Sequence, residues 1–359
     1  MVNPEEEFRQ TTRIIDASLN RIGEGLRFLE ELARMVLDNP DLTARLKELR
    51  HAVVITGTGL RHQLIQSRSA DSDVGADVTI PGEGEKSLAE LLAANSRRVQ
   101  ESLRTLEEVA KMPGATAEFD TDRFRKARFA TYTIEKELYA GLLRHDRRKM
   151  ITGLYVIIDT QLLKGRSHTD IAGQAIRGGA RIIQLRDKSR SRKEILGTAR
   201  ELKEVCDAAG VLFIVNDYAD IAAVTGADGL HLGQDDLPPG EARKVLPVGS
   251  IIGCSTTSRE LASSAQKAGA DYIAVGAVYP TESKHSTTTP ATVVGTEMIR
   301  AVRQAVSLPV VAIGGINKGN VADVIAAGAD AVAVIGAVLG ADSPEEASRL
   351  ITAGMKRTE

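Results

Sequence analysis

Apolar positions recur with two different periods along this chain. From Thr11 to about Leu143 they return every three or four residues, as in Ile14, Ile15, Leu19, Ile22, Leu26, Leu29, Leu32, Ala33 and Val36, with charges between them. That spacing lays one apolar stripe along a helix and predicts an all-α region. Within it, the run Glu24-Gly25-Leu26-Arg27-Phe28-Leu29-Glu30-Glu31-Leu32-Ala33-Arg34-Met35 reads again as Glu101-Ser102-Leu103-Arg104-Thr105-Leu106-Glu107-Glu108-Val109-Ala110-Lys111-Met112. Two related helices in one bundle are expected. The Gly-, Asp- and Ser-rich stretch from Ser67 to Lys86 reads as a long loop between them. The basic run Arg144 to Lys149 reads as a linker, and domains of residues 1–148 and 149–359 are expected.

After Met150 short apolar runs rich in Val and Ile alternate with helical stretches. Eight such runs are predicted as strands: Leu154–Asp159, Arg181–Arg186, Leu212–Asp217, Gly229–Gln234, Ile251–Ser255, Tyr272–Val278, Pro309–Gly315 and Ala331–Val338. Helices are predicted between them over Ile171–Gly179, Arg192–Ala209, Ala219–Gly226, Pro239–Val245, Arg259–Gly269, Gly295–Val306 and Lys318–Gly328, several ending in Gly-Ala, a common helix stop. Continuous apolar strands belong to a sheet covered on both faces, hence parallel. Eight βα units predict an α/β fold, a closed (β/α)8 TIM barrel, behind the helical domain. A doubly wound open sheet is the alternative, and the first strand lacks the Gly-rich dinucleotide turn many such sheets carry.

Composition narrows the function. The chain has 43% apolar and 26% charged residues and a formal charge of -2. A polyanion-binding signature is therefore missing, and nucleic acid is not an expected partner. Cys206 and Cys254 cannot make a metal set by themselves and read as small buried hydrophobes. The acidic N-terminal segment lacks an apolar core, and no run approaches membrane-spanning length. A cytoplasmic location and small-molecule partners are expected, with self-association left open.

In a barrel of this kind the active site lies at the C-terminal ends of the strands. Those ends carry Gln184-Leu185-Arg186-Asp187-Lys188, Asn216-Asp217, Gln234-Asp235-Asp236, Ser255-Thr256-Thr257 and Tyr279-Pro280-Thr281-Glu282-Ser283-Lys284. Arg186, Lys188 and Lys284 suit a multiply charged diphosphate and are the candidate catalytic groups. Asp217 and Asp236 offer hard oxygen ligands for Mg2+. Glycines in Gly314-Gly315 and at Gly336 let backbone N–H groups approach a second phosphate. The Ser- and Thr-rich stretch 282–292 reads as a closing lid.

The ordered set Gln-Leu-Arg-Asp-Lys (184–188), Asn-Asp (216–217), Gly-Leu-His-Leu-Gly-Gln-Asp-Asp (229–236), Gly-Cys-Ser (253–255), Asp-Tyr-Ile (271–273), Pro-Thr-Glu-Ser-Lys (280–284) and Gly-Gly-Ile (314–316) resembles that of thiamine-phosphate synthases over about 152–355. The resemblance implies that Gln184, Leu185, Arg186, Asp187, Lys188, Asn216, Ser255 and Lys284 bind hydroxymethylpyrimidine diphosphate. It implies Mg2+ on Asp217 and Asp236, and thiazole phosphate on Thr281, Glu282, Ser283, Gly315, Ile335 and Gly336. The implied mechanism is dissociative: diphosphate leaves, and the thiazole nitrogen attacks a pyrimidine-methyl cation. This chain departs from the family at Ser283, where threonine is usual, at Ala277, where proline is frequent, and at Gly336, where serine is common. A thiazole tautomerase on the same barrel is a rival, although it would not need the diphosphate cations or the paired carboxylates. His231 reads as a packing residue of a strand; His285 is left without a role.

In the helical region the run from Asp16 to Arg27, its echo near Arg97–Glu108, and Asp73-Val74-Gly75 resemble a domain fused to some bacterial thiamine-phosphate synthases. That domain is regarded as an atypical hydroxymethylpyrimidine-phosphate kinase, which implies ATP as co-substrate. Asp16, Asn20, Arg21, Glu24, Arg27 and Arg104 are the candidates for phosphate and Mg2+ contact. The alternative is a noncatalytic dimerisation scaffold. Pro81 to Ser87 is like a phosphate loop only superficially, since it lacks the Gly-Lys pair and a preceding strand.

Overall fold

The computed structural model describes residues 4–53, 58–68, 87–112, 120–281 and 292–355. Its contacts separate into two compact units, Met1–Leu142 and Leu143–Glu359. No helix among the described residues is long and apolar enough to cross a membrane.

The first unit is all-α: α1 (Pro4–Glu31), which runs into a π-helical turn at Leu32–Val36, α2 (Pro40–Val53), α3 (Thr58–Gln66), α4 (Leu88–Val109) and α5 (Thr121–Lys149), whose residues from Leu143 onward belong to the second unit. Ser87 starts α4 with a capping box, its hydroxyl accepting from the Glu90 N–H while the Glu90 carboxylate accepts from the Ser87 N–H. Residues 69–86, most of the expected loop and nearly all of the glycine-rich run before Ser87, lie outside the described residues.

The sequence repeat marks a repeated structure. Leu26 and Leu29 of α1 and their counterparts Leu103 and Leu106 of α4 are all fully buried. The two helices come close at Gly25, where a Cβ would sit 2.5 Å from Val99 Cγ2. The equivalence reaches past the motif. Glu30 holds Arg50 of α2 at 3.1 Å, and Glu107 holds Arg128 of α5 at 2.6 Å. Thus one position of the repeat, Glu30 in α1 and Glu107 in α4, ties its helix to the next by a Glu–Arg pair.

The second unit is a closed barrel in the order β1-β2-β3-β4-β5-β6-β7-β8. Its strands are β1 (Gly153–Asp159), β2 (Ala180–Arg186), β3 (Leu212–Asn216), β4 (Gly229–Leu232), β5 (Ile251–Thr256), β6 (Tyr272–Val275), β7 (Val310–Ile313) and β8 (Ala331–Val334). All pairings are parallel, and β1 closes onto β8. The helices are α6 (His168–Arg177), α7 (Arg192–Ala209), α8 (Ala219–Thr225), α9 (Pro239–Val245), α10 (Arg259–Lys267), α11 (Gly295–Ala305), α12 (Val321–Ala326), α13 (Gly336–Leu339) and α14 (Pro344–Gly354). Both thiols are buried in this unit and pushed up to about 12 by burial.

Several strands stop short of their predicted ends, β4 at Leu232, β6 at Val275 and β7 at Ile313, and three further features differ from the sequence expectations. The eighth strand stops at Val334, and Gly336 opens a short helix instead of continuing the strand to Val338. A further helix, α14, follows it, with Ser343 as its N-cap. The basic run 144–149 is no linker but the end of α5. Arg147 pairs with Asp228 at 3.1 Å, and Arg144 lies 3.9 Å from Asp271.

Those aspartates belong to two of three Gly-Ala-Asp triplets that stand directly before strands of the barrel, at 226–228, 269–271 and 328–330. Gly226, Gly269 and Gly328 take positive φ, from +65° to +103°, ending their helices in a conformation that favours glycine. The aspartate two residues later then accepts a backbone N–H from the first or second residue of the preceding strand: Asp228 from Phe213, Asp271 from Ile252 and Asp330 from Val310, at 2.7–3.0 Å. One triplet therefore both stops a helix and ties two strands.

Candidate active site

The polar strand ends meet at one rim, and β2 contributes most. Gln184 is 2% exposed. Its Nε2 donates to Asn216 Oδ1 at 2.7 Å, and its Oε1 accepts from Tyr155 Oη at 2.6 Å. The Tyr155 hydroxyl meets Tyr272 Oη at 3.0 Å, Tyr272 meets His231 Nδ1 at 3.0 Å, and His231 Nε2 meets Ser255 Oγ at 2.9 Å. One hydrogen-bonded chain thereby joins residues of six strands across the barrel interior. Burial raises both tyrosine hydroxyls well above their usual range, so they stay protonated donors. The amide of Gln184 is oriented from both ends, as a group that must present one face to a ligand requires.

Around this floor stand charged groups. Arg186 is ion-paired with Asp159 at the end of β1. Lys188 Nζ lies 3.1 Å from Asp217 Oδ2. Asp217 has a left-handed backbone, φ +63°, unusual without glycine, and its N–H is held by the His231 carbonyl at 2.9 Å. Its carboxyl is raised by burial and by a hydrogen bond with Asp236, against the opposing pull of Lys188. Asp236 Oδ2 accepts from Gly233 N–H at 2.7 Å. Two carboxylates so close, one of them destabilised as an anion, form a donor set that a hard divalent cation relieves. Among the described residues no group of three or more His, Cys, Asp or Glu side chains is placed to hold a metal, so oxygens from substrate and water would complete the shell.

Asp187 is differently employed. Although burial opposes its ionisation, N–H bonds from Ser189 and Arg190 and the Arg190 side chain hold its carboxyl well below the usual range. Thr160 Oγ1 also donates to it at 2.8 Å. The side chain expected on the diphosphate thus braces the loop that carries Lys188. Leu185 is 1% exposed within the apolar core, and its strand position is paired on both sides, with Ile158 of β1 and Val215 of β3.

Across the rim, Thr281, Gly314, Gly315, Ile335 and Gly336 line a cavity of about 360 Å³ with Asn317. Gly315 has φ +66°, and a Cβ there would lie 2.5 Å from Pro280 O. Only glycine lets this backbone turn and approach so closely. Glu282, Ser283, Lys284 and His285, and the expected lid over 282–292 apart from Thr292, lie outside the described residues.

Of the kinase candidates, Arg21 lines a cavity of the helical unit. Asp16 is held by Arg68 at 2.7 and 2.9 Å and receives Asn20 Nδ2 at 3.3 Å. Arg27 pairs with Glu31, Arg104 with Glu107 and Glu108, and Glu24 is exposed. These six are not gathered at one point. Sequence reasoning passed over Tyr155, Tyr272 and Asp159, and gave His231 only a packing role. Asp159 closing the first apolar strand was the available signal.

A closed parallel barrel with cations and paired carboxylates on one arc of its rim, and a glycine-walled cavity on another, defines an α/β-barrel enzyme of phosphorylated small molecules. A family described as Thiamine monophosphate synthase matches residues 154–338, and the ThiD2 family matches residues 13–137. Thiamine-phosphate synthase of Thermosynechococcus vestitus is 35% identical over 350 residues, covering 96% of this chain and 95% of that protein. The Methanospirillum hungatei enzyme of the same name is 50% identical over 200 residues, 56% of this chain and 96% of its own length. The solved thiamine phosphate pyrophosphorylase from Pyrococcus furiosus superposes with a TM-score of 0.53 at 37% identity, covering 58% of this chain and 97% of that one. The chain belongs to the thiamine-phosphate synthase family, with a ThiD2-family region ahead of the barrel.

Proposed function

We propose that the barrel joins hydroxymethylpyrimidine diphosphate to hydroxyethylthiazole phosphate, or its carboxylated form, releasing diphosphate and, from the carboxylated form, carbon dioxide as well. The observation that carries this reading is the oriented Gln184–Asn216 pair beside Arg186, Lys188 and the two carboxylates, with a separate glycine-walled cavity across the rim. Gln184, Asn216 and Ser255 orient the pyrimidine; Arg186, Lys188 and Lys284 take the charge that builds on the departing diphosphate. Asp217 and Asp236 would hold Mg2+, whose charge further stabilises that leaving group. The methylene C–O bond breaks with its electron pair on diphosphate. The thiazole nitrogen lone pair then forms the C–N bond, leaving a thiazolium, so no base or protein nucleophile is required. Thr281, Glu282, Ser283, Gly315, Ile335 and Gly336 hold the thiazole phosphate, largely through backbone N–H groups.

For the helical unit the reading is ATP-dependent phosphorylation of hydroxymethylpyrimidine phosphate, which would supply the barrel's substrate; the ThiD2-family match supports it. The test follows thiamine phosphate formation by the full chain with Mg2+ and thiazole phosphate. One reaction receives the pyrimidine diphosphate, the other the monophosphate plus ATP. Product in both is expected. Product from the diphosphate alone reduces the helical unit to a scaffold, and silence in both from folded protein overturns the barrel reading.

A further inference from the structure

The helical unit contains a cationic concavity whose arginines pair with no acid among the described residues. Arg21 of α1 and Arg97, Arg98, Glu101, Ser102 and Thr105 of α4 line a cavity of about 490 Å³. Three guanidiniums share it with one carboxylate. None of the three is ion-paired among the described residues, and Arg98 Nη1 reaches only Asn95 Oδ1 at 3.3 Å. By contrast Arg27, Arg50, Arg68, Arg104 and Arg128 of the same unit each hold a carboxylate. Like charges converging in one concavity repel one another, and an anion placed among them removes that cost.

The repeat explains why they converge. Extending its register back one turn aligns Arg21 with Arg98 and leaves Glu24 aligned with Glu101. The close approach at Gly25 and Val99 brings the backbones of α1 and α4 together, so equivalent arginines from the two halves of the unit reach one cavity. The volume suits a small organic ligand. Arginine forks match phosphate oxygens, and Glu101 in the same wall can accept from a ligand amino or hydroxyl group.

We propose that this cavity binds the phosphoryl group of a small phosphate ester, with Arg21 and Arg98 as its principal contacts and Arg97 beside them. This deepens the kinase reading of the helical unit and rests on it for the choice of ligands, ATP or hydroxymethylpyrimidine phosphate. The test is calorimetric titration of the full-length protein with each ligand separately, without Mg2+, for the wild type, Arg98→Ala and the double variant Arg21→Ala/Arg98→Ala. Affinity for one of the ligands should fall about tenfold or more with the first change and about a hundredfold with both, and it should weaken as salt rises. The ligand that loses affinity is the occupant. The arginines are exposed, so melting temperature should not move; should the double variant unfold, Arg98→Lys, which keeps the charge but loses the fork, should show a smaller loss. Unchanged affinity for both ligands in the variants, or no binding of either by the wild type at millimolar concentration, overturns the proposal. Arginine-dependent binding without phosphoryl transfer keeps the site and removes the kinase reading. Transfer that survives with arginine-independent binding does the reverse.

Discussion

Replacing Gly253 with alanine should disable the barrel without touching any rim residue. Gly253 is in register with Tyr272 on the neighbouring strand. An added methyl would lie 1.9 Å from Cζ of that ring and 2.3–2.4 Å from its Cε atoms, so the ring must move. Tyr272 is fully buried. Forcing a packed side chain aside costs about 1–3 kcal/mol. The Tyr272 hydroxyl also leaves Tyr155 and His231, both at 3.0 Å, and a buried hydroxyl pulled from its partners costs about 1–3 kcal/mol. A loss of about 2–6 kcal/mol is expected from these two contributions together. The readout can be confined to the barrel, because both cysteines are buried there and none lies in the helical unit. Thiol labelling across a urea series therefore reports barrel opening alone. Tyr155 loses a partner in the same event, so kcat/KM for the pyrimidine diphosphate should fall about 10- to 100-fold through a misoriented Gln184. The decisive control is Tyr272→Ala, which removes the ring that the methyl strikes. In that background Gly253→Ala should cost little, giving strong coupling. If the two losses instead add within about 0.5 kcal/mol, the proposed collision is not what Gly253 prevents.

Three further outcomes follow from the same geometry. Asp217→Asn should raise the Mg2+ needed for half-maximal coupling at least tenfold with no loss of thermal stability, since burial and Asp236 already disfavour its charged form; an unaltered Mg2+ titration contradicts the metal assignment. Arg128→Ala should destabilise the helical unit by about 3 kcal/mol, because Glu107 stays buried with only the more exposed Arg104 near it. Arg128 holds the Glu107 carboxyl below its ordinary range, so this stabilisation is complete above about pH 5 and is lost as pH falls through the lowered value; the gap between wild type and variant should close in acid melts. Gly315→Ala should raise KM for thiazole phosphate about tenfold while leaving KM for the pyrimidine diphosphate unchanged, because the methyl meets Pro280 O and the positive φ is strained.

The strand ends were legible because a covered parallel sheet confines polarity to its rims. A run such as Leu212–Val215 is apolar throughout, so Asn216 and Asp217 stand out directly after it. The Gly-Ala pairs were legible as helix stops through glycine's backbone preference, but the aspartates after them were not legible as strand ties, since the partner N–H of Asp228 lies in another strand. Tyr155 and Tyr272 could not be distinguished from core aromatics. They are 117 positions apart, and only barrel closure brings their hydroxyls to 3.0 Å. Asp187 was assigned to the ligand by its place in a motif, whereas its partners Thr160 and Arg190 turn it toward its own loop.

What the sequence by itself determined is whatever depends on period and on local backbone preference. That includes the helical first region and its internal repeat, the alternation that makes a barrel, and the rim on which chemistry gathers. Tertiary structure alone decided which polar groups are spent on one another and which stay available. Arg104 and Arg98 lie on one helix, yet the first is taken up by Glu107 and Glu108 while the second faces a cavity. Lys188 meets Asp217 only because β2 and β3 are neighbours. Hydrogen bonds and ion pairs act over a few ångströms between atoms that may be distant along the chain, so their partners are set by packing, which periodicity does not encode.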